Sequence, residues 1–215
     1  MNKLKLTAAV LALLGTVAAR ATTYTEIPDA GQTLGTAQVL DAGTSQVVGS
    51  TAGDADLFLF GWGGGNFYAN TVGTSYSDSS TDAQLFLFDS NGVGIQSNDD
   101  GIAYAGPAYL QVAGLAAGTY YIGISSYDLD PYSASGLIFP TYPYEPLYGP
   151  SNLDPLEGFT GTAYHSGNYV INFGSVTSDG TPIDDNPTSS VPDSGSSIGL
   201  LGLGLATLAM IRRRK

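Results

Sequence analysis

Asp54-Ala-Asp-Leu-Phe-Leu-Phe60 recurs almost unchanged as Asp82-Ala-Gln-Leu-Phe-Leu-Phe88, 28 positions further along the chain. After its leading acid, each stretch is apolar at consecutive positions, so both faces of an extended strand would be apolar. This pattern is typical of central strands that are covered on both sides. Two copies are too few to indicate a solenoid. The pair therefore predicts two central β-strands.

The rest of the body continues with short apolar runs separated by glycine-rich turns. Many Gly, Thr, Ser and Tyr residues and few helix formers favour strands. Because a single flat sheet would leave one apolar face wet, we expect an all-β chain folded as a β-sandwich. The runs predicted to be strands are residues 45–50, 54–62, 66–72, 83–88, 109–113, 119–125 and 168–173.

The N-terminal segment has the pattern of a secretory signal peptide, which signal peptidase removes. Lys3 and Lys5 precede an apolar run over residues 6–19, and Ala19-Arg-Ala21 is a small-x-small site. Cleavage is expected after Ala21, which makes residues 1–21 a helical signal. An amphipathic first helix of the domain is the alternative, but residues 11–14 leave it no polar face.

The C-terminal segment predicts a hydrophobic helix that tethers the protein to the membrane before processing. An uncharged run over residues 198–211 ends in a basic tail. Fourteen helical residues reach only about 21 Å, short of a core about 30 Å thick, so the neighbouring serines and glycines must supply the remaining length. The positive-inside rule keeps the tail, Arg212, Arg213, Arg214 and Lys215, in the cytoplasm and the body outside.

A short motif precedes this helix, and the whole order resembles the PEP-CTERM sorting signals of Gram-negative bacteria in their Val-Pro-Asp-Ser-Gly variant. The matching residues are Val191, Pro192, Asp193, Ser194 and Gly195, within a segment of residues 191–215. The resemblance implies that an exosortase, a membrane protease, cuts near the motif and releases the protein to the cell surface or extracellular matrix. A plain single-pass anchor is the alternative.

Charge is divided sharply along the chain. All seven Lys and Arg residues lie in the terminal segments, and none lies between Ala21 and Ile211. The nineteen acids all fall between Glu26 and Asp193. The body therefore has no Lys or Arg for salt bridges, phosphate or nucleic acid, so its charge must be met by water, salt or divalent metal. It also has no cysteine, so no disulfide can form.

A second resemblance covers residues 45–175. Its marks are the Asp-x-Asp start at Asp54, the turn from Asp89 to Gly92, the stretch 97–101, and Ala-Gly118-Thr-Tyr-Tyr121. Together they resemble the bacterial pre-peptidase C-terminal domain, which implies a jelly-roll-like, antiparallel β-sandwich over residues 22–176. The Pro- and Tyr-rich insertion 128–165 departs from that pattern, and we expect an ordered loop of extended, polyproline-like backbone lying on the sandwich. A polar linker follows over residues 177–190.

Catalytic options are few, and we predict no catalytic residues and no enzyme activity. The single histidine, His165, lies in Tyr-His-Ser-Gly, and no Gly-x-Ser-x-Gly elbow surrounds a serine. A surface histidine beside a turn is the simpler interpretation. A two-carboxylate glycosidase stays conceivable with sixteen Asp and three Glu, but nothing in the sequence brings two of them across a cleft.

Calcium binding is a more plausible role for these acids, because Ca²⁺ takes 6–8 oxygen ligands. Zinc favours Cys and His ligands, and this chain has no Cys and one His. Alternation along a strand puts Asp54 and Asp56 on one face. Asp99 and Asp100 are consecutive acids in a predicted turn, and two adjacent carboxylates repel each other without a cation. The candidate ligands of Ca²⁺ are Asp54, Asp56, Asp89, Asn91, Asp99 and Asp100. Each has a purely structural alternative as a turn residue.

Aromatic residues support a second hypothesis for function. Fourteen Tyr and one Trp on an exported β-sandwich could stack sugar rings. Trp62 is the candidate ligand residue, because the three glycines that follow it cannot cover an indole. We therefore expect a structural or adhesive protein of the cell surface or matrix, or alternatively a carbohydrate-binding module of the exopolysaccharide matrix. A secreted hydrolase is the weaker third option.

Overall fold

The computed structural model describes residues 22–76, 82–101, 106–141 and 147–174, and within them the chain is all-β, as predicted. The predicted signal peptide 1–21, the predicted linker 177–190 and the sorting segment 191–215 lie outside the described residues. The described strands are β1 (Thr22–Thr25), β2 (Gln38–Val39), β3 (Thr44–Thr51), β4 (Asp56–Trp62), β5 (Gly65–Asn70), β6 (Ser75–Tyr76), β7 (Ala83–Asp89), β8 (Gly94–Asn98), β9 (Tyr109–Leu115), β10 (Gly118–Ser126), β11 (Leu129–Ser133), β12 (Gly136–Leu137), β13 (Gly158–Gly161) and β14 (Gly167–Gly174).

These strands form two large sheets and one small sheet. Sheet A has the order β1-β3-β14-β5-β9, with β6 also paired to β14, and sheet B has the order β2-β4-β10-β7-β8. Most pairs are antiparallel, but β1 runs parallel to β3 and β2 runs parallel to β4. The two sheets are therefore mixed rather than purely antiparallel, since the segment before β3 contributes one edge strand to each of them.

The two near-identical stretches occupy the interior of sheet B. β4 and β7 lie on either side of β10, with Phe58 opposite Ile122 and Leu87 also opposite Ile122. Each of the seven runs that the sequence predicted as strands coincides with an observed strand. The short strands β2, β6 and β12 carried no periodic signal, because two residues are too few to show one.

The main core lies between sheets A and B. Alternate residues of β4 and β5, such as Phe58, Phe60 and Phe67, point into it and are buried. The rings of Phe60 and Phe67 stack with centroids 5.5 Å apart, and Phe58 meets Tyr169 edge-on at 6.5 Å. Because aromatic rings bury large apolar areas, this layer supplies most of the hydrophobic stabilisation that joins the two sheets.

The opposite face of sheet B is covered as well, which explains why β4 and β7 are apolar on both faces. Phe86 and Phe88 point away from the main core and pack against Ile138, Phe139 and Leu156 of the insertion. The ring centroids of Phe86 and Phe139 lie 5.9 Å apart. The described part of the insertion is therefore an outer layer on the sandwich.

The insertion is more regular than the sequence indicated. In place of extended polyproline-like backbone, β11 pairs with β12 and β13 to form the three-stranded sheet C. Tyr148 adds an isolated bridge to Ser97 at the edge of sheet B. The proline- and tyrosine-rich residues 142–146 lie outside the described residues.

Across the ranges that the structure describes, no helix is long and apolar enough to cross a membrane. The predicted C-terminal helix falls outside those ranges.

Candidate functional site

Glu26, Asp29 and Asp56 form the first of two carboxylate groups, here called the Asp56 cluster. One carboxylate oxygen from each residue lies within 4.8 Å of the others. The parallel β1–β3 pairing brings Glu26 to this place, because its backbone N–H donates to the Val48 carbonyl at 2.9 Å. Asp56 enters from the start of β4. Two segments far apart in sequence, residues 26–29 and the start of β4, therefore converge here.

Both oxygens of Glu26 are held by backbone donors. Oε1 accepts a hydrogen bond from the Ala30 N–H at 2.7 Å, and Oε2 accepts one from the Ser50 N–H at 3.0 Å. These bonds fix the carboxylate in one orientation, and each oxygen keeps a further lone pair for another ligand. Glu26 is thus a rigid member of the cluster.

Asp56 is the most unusual residue of the cluster, because its side chain is 0 % exposed. It shares the inward face of β4 with Phe58 and Phe60. Neither carboxylate oxygen makes a hydrogen bond. Burial raises the pKa of Asp56 well above its usual range, and the nearby charges of Glu26, Asp54 and Asp29 raise it further. An ionised carboxylate here has no basic side chain of the body to compensate its charge.

Tyr169 and Gly49 complete the surroundings of this cluster. The Tyr169 hydroxyl is buried and makes no hydrogen bond of standard geometry, although it lies close enough to lower the pKa of Asp56 slightly. Burial raises the pKa of Tyr169, and the charges of Asp56 and Glu26 add to this. A Cβ atom on Gly49 would lie 2.3 Å from Glu26 Oε2 and 2.4 Å from the Tyr169 hydroxyl. Glycine at position 49 is therefore what lets the two oxygens approach.

Asp54 lies at the margin of the Asp56 cluster. Its Oδ1 accepts a hydrogen bond from the Ala52 N–H at 3.1 Å. Desolvation raises the pKa of the exposed Asp29, and the charges of Asp54 and Glu26 and a side-chain hydrogen bond with Asp54 raise it further. The pair that strand alternation predicted, Asp54 and Asp56, is therefore brought together, with Glu26 and Asp29 added to it.

Asp82, Asp99 and Asp100 form the second group, here called the Asp99 cluster, with one oxygen of each within 4.8 Å of the others. Burial raises the pKa of Asp99 to about 7, and the charges of Asp82, Asp100, Asp130 and Asp128 contribute. Asp99 is only partly buried, though its Oδ1 makes no hydrogen bond. The predicted pair Asp99 and Asp100 thus meets a third acid that the sequence did not indicate.

A small polar cavity of about 30 Å³ borders the Asp99 cluster. Its polar lining includes Gln84, Ser97, Asn98, Asp99, Asp128 and Asp130. Gln84 donates to Asp130 Oδ1 at 3.2 Å, which fixes one side of it. This volume admits a water molecule or a single ion rather than a sugar ring.

Asp89 and Asn91 lie in the turn between β7 and β8. Asp89 Oδ1 accepts hydrogen bonds from the Asn91 N–H at 2.8 Å and the Val93 N–H at 2.9 Å. Gly92 between them has a φ of 82°, which favours glycine. The structural alternative, a capped turn, accounts for these contacts, and within the described residues neither side chain joins an acid cluster.

His165 and Trp62 are both packed against aromatic rings. The His165 ring stacks on Tyr76 with centroids 6.0 Å apart, and its Nε2 lies 3.9 Å from Asp82 Oδ2. Trp62 is half-buried at the end of β4 and meets Phe67 edge-on at 5.2 Å. Its indole N–H is buried without a hydrogen bond. The indole therefore contributes to the core more than the following glycines indicated.

Comparison with known proteins identifies the C-terminal segment. The model of the VPDSG-CTERM motif matches residues 190–215. No curated protein sequence matches the chain. Among solved structures, PliG of Aeromonas hydrophila, a periplasmic inhibitor of g-type lysozyme, is similar at 14% identity and a TM-score of 0.31, over 72% of this chain and 99% of its own. The motif supports a sorting signal of the PEP-CTERM type, which implies processing by an exosortase-type system and suggests an exported protein.

Proposed function

We propose that this is a non-enzymatic protein of a Gram-negative cell surface or extracellular matrix, with a structural or adhesive role. The observation that carries the proposal is the sorting motif at residues 190–215. A protease that recognises this signal would release the β-sandwich outside the membrane. In this proposal the body is a domain similar to the bacterial pre-peptidase C-terminal domain. The Asp-x-Asp sequence at the start of β4 supports this.

The chemistry of the body supports a binding or structural role over catalysis. The His165 ring stacks on Tyr76, and its Nε2 lies 3.9 Å from Asp82 Oδ2, so the histidine is packed against the sandwich. The carboxylates of the Asp56 cluster lie within 4.8 Å of each other around a buried side chain. Glycosidases place their two carboxyl groups on either side of an open cleft that the sugar enters, whereas the side chain of Asp56 is buried.

Processing in the native host tests this proposal. The mature protein should lack residues 1–21 and the segment from Ile198 onward, because both signals are removed. Intact-mass measurement of the protein from the cell surface or culture matrix gives the answer directly. Surface protein that still carries residues 212–215 would instead indicate a permanent anchor.

A second candidate function, polysaccharide binding, is favoured by one surface of sheet A. Phe67 and Ala69 point into the core, so Tyr68 and Asn70 face outward. On that face Gln46 Nε2 donates to Asn172 Oδ1 at 2.9 Å, and Asn172 Nδ2 donates to Asn70 Oδ1 at 3.0 Å. This amide row crosses three strands.

Two tyrosines lie beside the amide row. The rings of Tyr68 and Tyr109 have centroids 6.5 Å apart and planes inclined by 30°, and both are partly exposed. Amide groups and aromatic faces side by side suit the hydroxyls and apolar faces of sugar rings. We therefore place the candidate polysaccharide surface here rather than at Trp62.

A glycan array with the purified protein tests this second candidate. Binding that is lost in both Tyr68→Ala and Tyr109→Ala, with circular dichroism unchanged, supports the sheet A surface. Binding lost only in Trp62→Ala would return the site to the end of β4. If the array shows no binding, the structural role is the only one of the two candidate functions that remains.

A further inference from the structure

The Asp56 cluster has the dimensions of a calcium site. Three oxygens, one each from Glu26, Asp29 and Asp56, lie within 4.8 Å of one another. Calcium binds oxygen at 2.3–2.6 Å, so two ligand oxygens on opposite sides of the ion are separated by about 4.6–5.2 Å. A single ion placed among the three oxygens can therefore reach all of them without a large rearrangement.

A second observation, independent of the clustering, is the uncompensated burial of Asp56. Its side chain is 0 % exposed and both oxygens lack hydrogen bonds. A buried carboxylate of this kind is costly unless a cation pairs with it. No Lys or Arg occurs between Ala21 and Ile211, so no basic side chain of the body can do so. The lone histidine packs against Tyr76 and Asp82.

The chemistry of the ligand atoms in the Asp56 cluster determines which metal ion it can bind. Every candidate ligand atom is an oxygen, which excludes the sulfur and nitrogen environment that zinc favours. Asp54 adds a fourth carboxylate beside the three, and this charge attracts a divalent cation. Magnesium requires near-ideal octahedral geometry and keeps its water, whereas calcium accepts irregular oxygen cages. The irregular arrangement of carboxylates from two segments thus suits calcium.

We propose that Glu26, Asp29 and Asp56, with Asp54 beside them, bind one Ca²⁺ ion that links the N-terminal segment to the start of β4. Glu26 is oriented by its two backbone bonds, Asp56 contributes the buried oxygens, and the exposed Asp29 closes the site on the solvent side. Water and backbone carbonyls supply the remaining ligands, as is usual for this ion.

The test uses the processed protein purified from its host and freed of metal with EGTA. Ca²⁺ should raise the melting temperature more than Mg²⁺ or NaCl at equal ionic strength, because a ligand that binds only the native state stabilises it. Tb³⁺, which replaces Ca²⁺, should show luminescence on tyrosine excitation, since Tyr169 adjoins the site. Calorimetric titration with Ca²⁺ should give one ion per chain.

Single substitutions show where in the protein the Ca²⁺ ion binds. Asp56→Asn should remove the Ca²⁺-specific increment and also raise the melting temperature in EGTA, because folding no longer has to bury or protonate a carboxylate at this position. Glu26→Gln should weaken Ca²⁺ binding and serves if Asp56→Asn does not fold. Asp41→Asn, which removes an exposed acid from a turn outside both clusters, should leave Ca²⁺ binding unchanged.

Three results would overturn the proposal. One is an equal effect of Ca²⁺, Mg²⁺ and matched NaCl. Another is full Ca²⁺ binding by both Asp56→Asn and Glu26→Gln. The third is loss of binding in Asp99→Asn alone, which would assign the ion to the Asp99 cluster.

Discussion

Replacing Phe86 by alanine should destabilise the protein as much as a change in the main core, although Phe86 lies on the outer face of sheet B. The ring is only 2 % exposed and lies 5.9 Å from Phe139 and 5.7 Å from Phe159, centroid to centroid. Burial of roughly 150–250 Å² at about 25 cal/mol per Å² gives an upper limit of about 4–6 kcal/mol. Allowing for partial relaxation, we expect a loss of about 3–5 kcal/mol in the free energy of unfolding.

Urea unfolding followed by tyrosine and tryptophan fluorescence measures this loss. Phe58→Ala, in the main core, provides the reference and should lose a similar amount. Leu153→Ala is the matched control within the insertion, because Leu153 is 73 % exposed and its truncation should change stability by no more than about 0.5 kcal/mol. A loss below about 1 kcal/mol for Phe86→Ala, beside a full loss for Phe58→Ala, would refute the outer layer as a packed part of the domain.

Two further predictions concern charge. Stability should rise as NaCl increases from about 0.05 M to about 0.5 M, even in EGTA, because salt screens the repulsion among acids that have no basic partners; a falling melting temperature would contradict this. Asp99 binds its proton more tightly in the folded state, with a pKa of about 7 against an ordinary 3.8, so its contribution to stability is lost as pH rises through that window. Asp99→Asn should therefore gain stability relative to the wild type between pH 4 and 7 in EGTA, as urea unfolding at several pH values would show, and a constant difference would argue against the shift.

The central strands could be predicted because their pattern is local. In β4 and β7, consecutive apolar residues report burial on both faces, and the structure provides both a main core and an outer layer to cover them. The origin of the outer cover could not be predicted. Residues 138–139 reach sheet B through the pairing of β11 with β13, which joins residues about thirty positions apart along the chain.

The candidate site was predictable only in part, because some of its residues are close in sequence and others come together only in the fold. Asp54 and Asp56 are two positions apart in sequence, so the local pattern alone indicated them, although β4 begins only at Asp56. Glu26 and Asp29 lie far from Asp56 in sequence and reach it through the parallel β1–β3 pairing, for which Thr22–Thr25 gave only a short β-branched signal. Gly49 matters to the site because it has no side chain, and not because of its backbone conformation. Only its position against Glu26 and Tyr169 in the folded structure shows this.

The position of β14 in sheet A has a consequence for the order of folding during export. β14 is the last described strand, yet it lies in the middle of the sheet, between β3 and β5. A chain that emerges from its N-terminus exposes β3 and β5 with unsatisfied edges until residues 167–174 arrive. Sheet A therefore closes late, after nearly all of the domain has crossed the membrane and shortly before the segment 190–215 that carries the sorting motif. A chain cut before residue 167 would therefore keep both edges open to aggregation.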